Sequence, residues 1–312
     1  MPIFFLLFLY GCMPFQTQPV RFGLSSKDFV RIGDLQRKIR IYERGKPNSP
    51  AIVFVHGYGS AGLIWLPLMK TLEEAGYYCL AMDLPGFGLS DKYAGNYDTG
   101  YIADQVAEIM QKKGIDRADI VAHSWGSSVT LALALRHPKK VRRIVINAGW
   151  VYNAQIVPVL RWSKIPGIGE MIYWLYYRER PGEKYASSFY DPDRMVDMAV
   201  IDKIKEALDR PGALAAALAV ARGMNFADSE RRYKTLRNRT LLLWGKQDRV
   251  ALPFYGQRLE ADLPNAQLIL LDRCGHIPML ERPHLVHRYI RSFLGPAVVL
   301  AQPEDPPPPQ KP

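Results

Sequence analysis

The chain has 312 residues, of which 48% are hydrophobic and 23% charged, and its formal net charge is +11. This length and hydrophobic content are enough for one large core with an inserted subdomain. Basic residues are scattered apart from clusters at 139–143 and 231–239, which are expected to be solvated surfaces, so nucleic acid is not an expected partner. Three separated cysteines without a C-x-x-C spacing argue against a zinc site and a disulfide framework, and no metal or organic cofactor is expected.

The N-terminus carries a short apolar run, residues 3–9, that is too short to span a bilayer by itself. The run ends in Leu9-Tyr10-Gly11-Cys12, which resembles the bacterial lipoprotein signal, in which a small residue precedes a lipidated cysteine. The lack of Lys and Arg before the run departs from that signal, so a simple membrane anchor or a wrong start site are alternatives. We expect residues 1–21 to tether an exported protein to the membrane of the bacterial cell envelope, with Cys12 lipidated. A cytoplasmic protein is the alternative.

The remaining chain begins as an alternation of apolar strands and amphipathic helices, which predicts a mainly parallel sheet covered on both faces. The first two strands are expected to pair antiparallel around a Gly33-Asp34 turn. The expected strands are 29–32, 38–42, 51–55, 77–82, 118–122, 141–146, 240–243 and 266–271. The expected helices are 62–75, 102–113, 129–136, 213–221 and 288–294.

This alternation is interrupted between Trp150 and Arg239, where the chain is helical in character, dense in aromatic residues and repeatedly broken by proline. The segment predicts a helical cap over 150–238, inserted between the core parts 22–149 and 239–295. Its aromatic side chains are expected either to pack the cap onto the core or to line an apolar substrate cleft. From 296 to 312 the chain is rich in proline and is predicted to be a disordered tail.

One apolar strand ends abruptly at Ser124, with the small residues Ala122 and Gly126 two positions on either side and a helix directly after. Strand, sharp turn and helix form the context of a G-x-S-x-G nucleophile elbow. Such a turn exposes the serine above the sheet edge and directs the N–H of Trp125 toward a developing oxyanion. An ordinary turn serine is the alternative.

The strand at 51–55 leads into His56-Gly57-Tyr58-Gly59. Glycines at this position let backbone N–H groups approach a ligand closely, so the turn is expected to supply the second half of an oxyanion hole, with Gly57 and Gly59 at the substrate. A tight connection between strand and helix is the alternative. His56 is expected to organise the loop by hydrogen bonds rather than to act as a base.

A serine that accepts an acyl group needs a base, and the base needs an acid to fix its tautomer. Ser124, Asp248 and His276 occur in this order, and each lies just past the end of an apolar strand. In a parallel sheet these ends share one edge, where ligands bind. His123 is poorly placed as the base, because neighbours on a sharp turn diverge. The other candidates are His137, His284 and His287, expected to be solvated, and Asp83 and Asp272, second choices for the acid, with Asp83 more simply an acceptor that ties its loop.

Together these motifs resemble an α/β-hydrolase, in the branch with a helical cap between strands six and seven. The resemblance covers about residues 22–294 and implies a mostly parallel eight-stranded sheet flanked by helices. It implies Ser124 as the nucleophile, His276 as the base and Asp248 as the acid. It also implies the N–H groups of Trp125 and Tyr58 as oxyanion donors.

The fold leaves the substrate open, because one fold supports many reactions. Serine at the elbow, where haloalkane dehalogenases and epoxide hydrolases use aspartate, argues against those two chemistries. The expected function is hydrolysis of a carboxylic ester with an apolar moiety through an acyl-enzyme. The alternatives are a C–C bond hydrolase of the meta-cleavage type, which acts on a vinylogous diketone, and a non-catalytic protein that binds ligands in the capped cleft. The expected partners are a small apolar ester and, for a tethered protein, a membrane surface, and the protein is expected to be a monomer or homodimer.

Overall fold

The computed structural model describes residues 25–93, 95–176, 187–191, 202, 206 and 209–296. The predicted N-terminal segment with Cys12, the tail beyond Pro296 and part of the predicted cap lie outside these residues, so tethering and lipidation stay predictions. The strands are β1 (Phe29–Ile32), β2 (Arg37–Arg44), β3 (Ala51–Val55), β4 (Tyr78–Met82), β5 (Ala118–His123), β6 (Val141–Asn147), β7 (Arg239–Gly245) and β8 (Ala266–Leu271).

These strands form one eight-stranded sheet in the order β1-β2-β4-β3-β5-β6-β7-β8. β2 pairs antiparallel with β1 and with β4, and every other pair is parallel. The expected mostly parallel eight-stranded sheet is therefore confirmed. All residues of β3, β4 and β5 are buried, as continuous apolar runs are when helices cover both faces of a parallel sheet.

Helices cover both faces of the sheet, and alternate side chains of each central strand enter two separate cores. In β3, Val53 and Val55 belong to one core, whereas Ile52 and Phe54 belong to the other. The first core includes residues of α2 and α3, and the second includes residues of α1 and α10. The helices are α1 (Leu66–Glu74), α2 (Thr99–Lys112), α3 (Gly126–Arg136), α4 (Pro158–Trp162), α5 (Ile168–Tyr176), α6 (Ala213–Gly223), α7 (Ala227–Arg232), α8 (Pro253–Asp262), α9 (Pro278–Glu281) and α10 (Pro283–Leu294).

The structure differs from the predicted elements in several places. The turn between β1 and β2 spans four residues, and Gly33 and Gln36 at its ends both have positive φ, +63° and +50°. Helix α8 has no counterpart among the predicted elements, and α10 begins five residues before the predicted helix at 288. Within the described ranges, no helix has both the length and the apolar character needed to cross a bilayer.

Helices α4 to α7 follow β6 and precede β7 in the chain, in the segment predicted as a cap. Tyr173 of α5 and Leu218 of α6 belong to a small core of their own, and Tyr58 from the turn after β3 packs against it. The hydroxyl of Tyr58 donates to the carbonyl oxygen of Ala217 at 3.0 Å and lies 2.6 Å from the hydroxyl of Tyr173. These contacts join α5 and α6 to the carboxyl edge of the sheet. The predicted domain boundaries stay a prediction.

Candidate active site

Ser124 lies in the sharp turn between β5 and α3, with a φ of +50°. This left-handed conformation costs an L-residue about 1–2 kcal/mol, so the surrounding contacts must hold it. The N–H of Ser124 donates to the carbonyl oxygen of Asn147 at 3.0 Å. Its carbonyl oxygen accepts from the N–H groups of Trp150 at 3.0 Å and Ser127 at 2.9 Å. The end of β6 therefore fixes the strained turn from the neighbouring strand.

Close contact between the elbow and the turn after β3 explains which small residues are required. A methyl group on Gly126 would lie 2.3 Å from the carbonyl oxygen of His56, and one on Gly57 would lie 2.9 Å from Cβ of Ser124. Ala122 near the end of β5 and Ser127 in the first turn of α3 are both fully buried on either side of the nucleophile. The elbow thus accepts side chains at 122 and 127 but has no space for one at 126.

Ser124, His276 and Asp248 form a continuous chain of hydrogen bonds. Oγ of Ser124 lies 2.9 Å from Nε2 of His276, and Nδ1 of His276 lies 2.9 Å from Oδ2 of Asp248. The other carboxylate oxygen of Asp248 accepts from the N–H groups of Val250 and Ala251, both at 2.8 Å. An ionised carboxylate only accepts hydrogen bonds, so the proton of His276 is on Nδ1 and the lone pair of Nε2 faces the serine hydroxyl. This arrangement can take the proton of Ser124 as a nucleophile forms.

The region in front of Ser124 contains the residues expected to bind an oxyanion and the substrate. Among the described residues, nothing accepts a hydrogen bond from the N–H of Trp125, the residue that precedes the first turn of α3. Gly57 lies directly against Ser124. Gly59 has a φ of +68° in a turn that the N–H of Ser60 closes by donating to the carbonyl oxygen of Gly57 at 3.3 Å.

An aromatic cluster lies beside this turn. The ring of Phe87 has its centroid 5.8 Å from that of His56, 5.5 Å from that of Tyr58 and 5.9 Å from that of Trp125. The buried faces of these rings make the surroundings of the predicted oxyanion hole apolar, which strengthens electrostatic interactions within it.

Glu281 is a buried carboxylate that the sequence analysis does not identify. One of its oxygens accepts from the N–H of Ile277 at 3.0 Å, and the other accepts from those of Gly275 at 2.9 Å and Tyr190 at 2.8 Å. Gly275 and Ile277 flank His276, so the hydrogen bonds to Glu281 fix the conformation of the loop that carries the imidazole. An acidic residue in the first turn of a helix is the signal available in the sequence, because it is typical of N-terminal capping.

Replacing Glu281 with alanine is expected to lower both stability and activity. Three N–H groups lose their acceptor, two of them beside His276, so the free energy of unfolding should fall by about 3 kcal/mol. Displacement of the imidazole should lower kcat by about tenfold or more at a temperature where the variant is folded. Urea denaturation and kcat measure the two effects. Glu74→Ala, an exposed glutamate on α1, is the control, and a loss below about 1 kcal/mol at position 281 would contradict this role.

His123 and His56 are buried, neutral histidines that hold backbone groups of the site. Nε2 of His123 lies 2.8 Å from the carbonyl oxygen of His276, so it donates and carries the proton. Burial, with His276 nearby, holds the pKa of His123 well below its usual value. Nδ1 of His56 donates to the carbonyl oxygen of Gly57 at 2.7 Å, and its Nε2 accepts from the N–H of Leu84 at 2.8 Å. Burial lowers the pKa of His56 from 6.5 to about 4.

These two histidines predict a loss of stability in mild acid. Below pH 6.5 the unfolded chain binds protons on both imidazoles, whereas folded His56 binds one only near pH 4, so stability falls as the pH is lowered through this window. Between pH 7 and pH 5, His56 should remove about 2 kcal/mol from the free energy of unfolding, and His123 should lower it in the same direction. Denaturant titrations at several pH values measure the slope. His123→Gln should make the slope shallower, and the exposed His284→Gln should leave it unchanged, whereas equal slopes in all three proteins would refute the assignment.

The two other candidates for the acid lie elsewhere. Asp83 is buried and accepts from the N–H groups of Gly62 and Leu89, both at 2.7 Å, so it ties its loop to the segment before α1. The side chain of Asp272 is 73% exposed and forms an ion pair with Lys246 at 2.8 Å. Asp248 is the carboxylate that contacts His276.

The remaining histidines lie away from this chain of hydrogen bonds. His137 contacts Asp104 at 2.7 Å on the protein surface, and His284 is exposed. The prediction that His287 is solvated is wrong. It is half-buried and its Nδ1 lies 3.0 Å from Oγ1 of Thr71, because α10 packs against α1.

Comparisons with known proteins agree with this architecture. The family model described as alpha/beta hydrolase fold matches residues 50–283. A 2-hydroxy-6-oxononadienedioate/2-hydroxy-6-oxononatrienedioate hydrolase of Cupriavidus pinatubonensis is 27% identical over 284 residues, which cover 88% of this chain and 96% of the relative.

Two solved structures show the same fold. A 2-hydroxy-6-oxo-6-phenylhexa-2,4-dienoate hydrolase from Rhodococcus has a TM-score of 0.73 at 24% identity and covers 86% of this chain and 97% of its own. A thermophilic esterase from Thermogutta terrifontis has a TM-score of 0.70 at 22% identity and covers 85% of this chain and 96% of its own. At these identities the two structures establish likeness of fold only. Because the family model matches most of this chain, the chain belongs to the α/β-hydrolase family and is a hydrolase of that fold.

Proposed function

We propose that the protein is a serine hydrolase that forms an acyl-enzyme on Ser124. The observation that carries this proposal is the chain of hydrogen bonds from Ser124 through His276 to Asp248, with both links at 2.9 Å. Nε2 of His276 removes the hydroxyl proton as Oγ attacks a substrate carbonyl carbon. The N–H groups of Trp125 and Tyr58 receive the oxyanion, and the imidazolium then protonates the leaving group. Water, activated by the same imidazole, releases the acid.

Cleavage of a C–C bond next to a ketone is the first candidate for the reaction. The relatives from Cupriavidus and Rhodococcus are named as hydrolases of 2-hydroxy-6-oxo-dienoates, and the first of them aligns over nearly its whole length. In a vinylogous diketone, the electron pair of the broken bond is delocalised into the conjugated system, so carbon can leave. The acyl group passes to Ser124, and the proton held by His276 passes to the released fragment.

Hydrolysis of a carboxylic ester with an apolar moiety is the second candidate. The rings of Phe87 and Trp125 make the surroundings of the turn after β3 apolar, which suits an apolar moiety. The same triad expels an alkoxide after protonation by His276.

A substrate panel separates these candidates. The wild-type protein is assayed with nitrophenyl esters of increasing acyl length and with a ring-fission product of the 2-hydroxy-6-oxo-dienoate class, whose coloured conjugated system disappears on cleavage. The proposal predicts that the protein turns over one of these two substrate classes with a clearly higher kcat/KM than the other. It also predicts that a fluorophosphonate forms its adduct on Ser124 rather than on Ser127 or Ser128, as read by peptide mass spectrometry. A folded protein with neither turnover nor an adduct on Ser124 would be a binding protein, which contradicts the proposal.

A further inference from the structure

The segment from the end of α4 through α5 carries a series of exposed apolar side chains, here called the 162–174 surface. Its members occur at every third position and are 40–59% exposed: Trp162, Ile165, Ile168, Met171 and Trp174. Leu175 extends the series and is 50% exposed. On a helix, residues three and four apart share a face, so those of α5 form one stripe. Single exposed apolar residues are ordinary, whereas a group of them on one short segment indicates an interaction site.

This surface is held outward by tight packing on its inner side. Gly169 of α5 contacts the end of α4 so closely that a methyl group there would lie 2.2 Å from the carbonyl oxygen of Ser163. Ser163 is fully buried, and its carbonyl oxygen accepts from Nε of Arg222 at 3.0 Å. Tyr173 is 2% exposed and meets Tyr58 on the side that faces the core. The apolar side chains therefore project from a fixed scaffold.

Between residues 157 and 176, two of the three charged side chains are positive. Arg161 and Lys164 are exposed residues of this segment. Nε of Arg161 donates to the carbonyl oxygen of Ile156 at 2.9 Å, and Nζ of Lys164 donates to that of Met224 at 2.7 Å. The one acidic residue between 157 and 176 is Glu170, which Arg222 neutralises at 2.9 Å. Together with the net charge of +11, this pattern favours an anionic partner.

We infer that the 162–174 surface docks on a lipid bilayer that contains anionic lipids. A helix that lies in the plane of a membrane presents an apolar face with Trp and aliphatic side chains and flanks it with Lys and Arg. Tryptophan prefers the boundary between hydrocarbon and water, and here one stands at each end of the series. Because Tyr173 of α5 meets Tyr58, whose neighbour Gly57 lies against Ser124, docking holds the segment next to the nucleophile at the bilayer. The inference concerns the origin of the substrate and is independent of which bond is cleaved.

Vesicle binding by the full-length chain tests this inference. The wild-type protein is expected to sediment with vesicles of phosphatidylcholine and phosphatidylglycerol, and more weakly at high salt, because the anionic attraction is screened. Ile168→Glu/Met171→Glu should lower the partition coefficient by about tenfold or more, since it places two charges in the apolar face. The matched control is Leu35→Glu/Phe254→Glu, at two apolar residues that are 75% and 61% exposed elsewhere, and it should bind like wild type.

Tryptophan emission gives a second measurement that needs no charged substitution. Trp65, Trp125 and Trp244 are fully buried and Trp150 packs partly buried against the core, so a blue shift on adding vesicles reports mainly on the exposed Trp162 and Trp174. The shift is expected in wild type and should be lost in Trp162→Phe/Trp174→Phe, whose fold circular dichroism verifies. Equal partitioning of wild type and Ile168→Glu/Met171→Glu would overturn the inference, because binding would then come from another part of the chain. A change from dimer to monomer in that variant, without a change in vesicle binding, would identify the surface as a contact between copies and would also overturn it.

Discussion

Replacing Ser124 with alanine is expected to lower kcat by about 100,000-fold or more, the scale seen when a triad nucleophile is removed. The variant keeps His276 and Asp248 in place, but no oxygen remains to attack the carbonyl carbon. The remaining rate should come only from positioning and from the oxyanion donors. Initial rates on the best substrate of the panel measure the loss, and the fluorophosphonate adduct should disappear with it.

Ser127→Ala is the matched control for this substitution. Ser127 lies three residues away in the same turn, is fully buried, and its hydroxyl has no hydrogen-bond partner within the described part of the chain. Removing that hydroxyl should leave kcat within about twofold of wild type. Retention of more than about one hundredth of the wild-type rate by Ser124→Ala, in a preparation free of other hydrolases, would refute the nucleophile assignment.

Asp248→Asn is expected to lower kcat by about 10,000-fold while the fold is preserved. The amide oxygen can still accept from the N–H groups of Val250 and Ala251. Its NH2 group then faces Nδ1 of His276 and donates to it, so the imidazole proton moves to Nε2. That nitrogen lies 2.9 Å from Oγ of Ser124 and in this tautomer has no lone pair to accept the serine proton.

Asp272→Asn provides the comparison for position 248, because Asp272 is also an aspartate just past an apolar strand. Its exposed ion pair with Lys246 contributes little, so kcat should stay within about twofold of wild type. Thermal unfolding should show that both variants are folded. Similar losses of kcat in the two variants would show that the acid is not Asp248 alone.

The strands and the three residues of the triad could be predicted from the sequence for one physical reason. A strand buried on both faces must be a continuous apolar run, and a polar residue directly after it lies at the carboxyl edge of the sheet. The run at 51–55 coincides with β3, all of whose residues are buried. The structure brings Ser124, Asp248 and His276 together from the ends of β5, β7 and β8.

Elements that depend on tertiary contacts could not be predicted in this way. Helix α8 buries only Gly256 and Leu259, so it has no apolar stripe to mark it. Glu281 reads as a surface residue, because charged side chains are seldom buried, and only the fold brings the N–H of Tyr190 to it. His287 likewise lies on a helix with many polar residues. Its partner Thr71 belongs to α1, more than 200 positions earlier in the chain.

The position of Tyr58 links substrate size to the rate of the chemical step. Its backbone follows Gly57 against the nucleophile, while its phenol is fastened to α5 and α6 through Tyr173 and Ala217. A bulky molecule that displaces α5 would stretch the 2.6 Å contact between the two phenols and so move the turn after β3, which is proposed to bind the oxyanion. A ligand that fits beneath α5 leaves that turn aligned. Substrates of different size would then differ in kcat as well as in KM, because the side chain of Tyr58 links α5 to this turn without contacting the scissile bond.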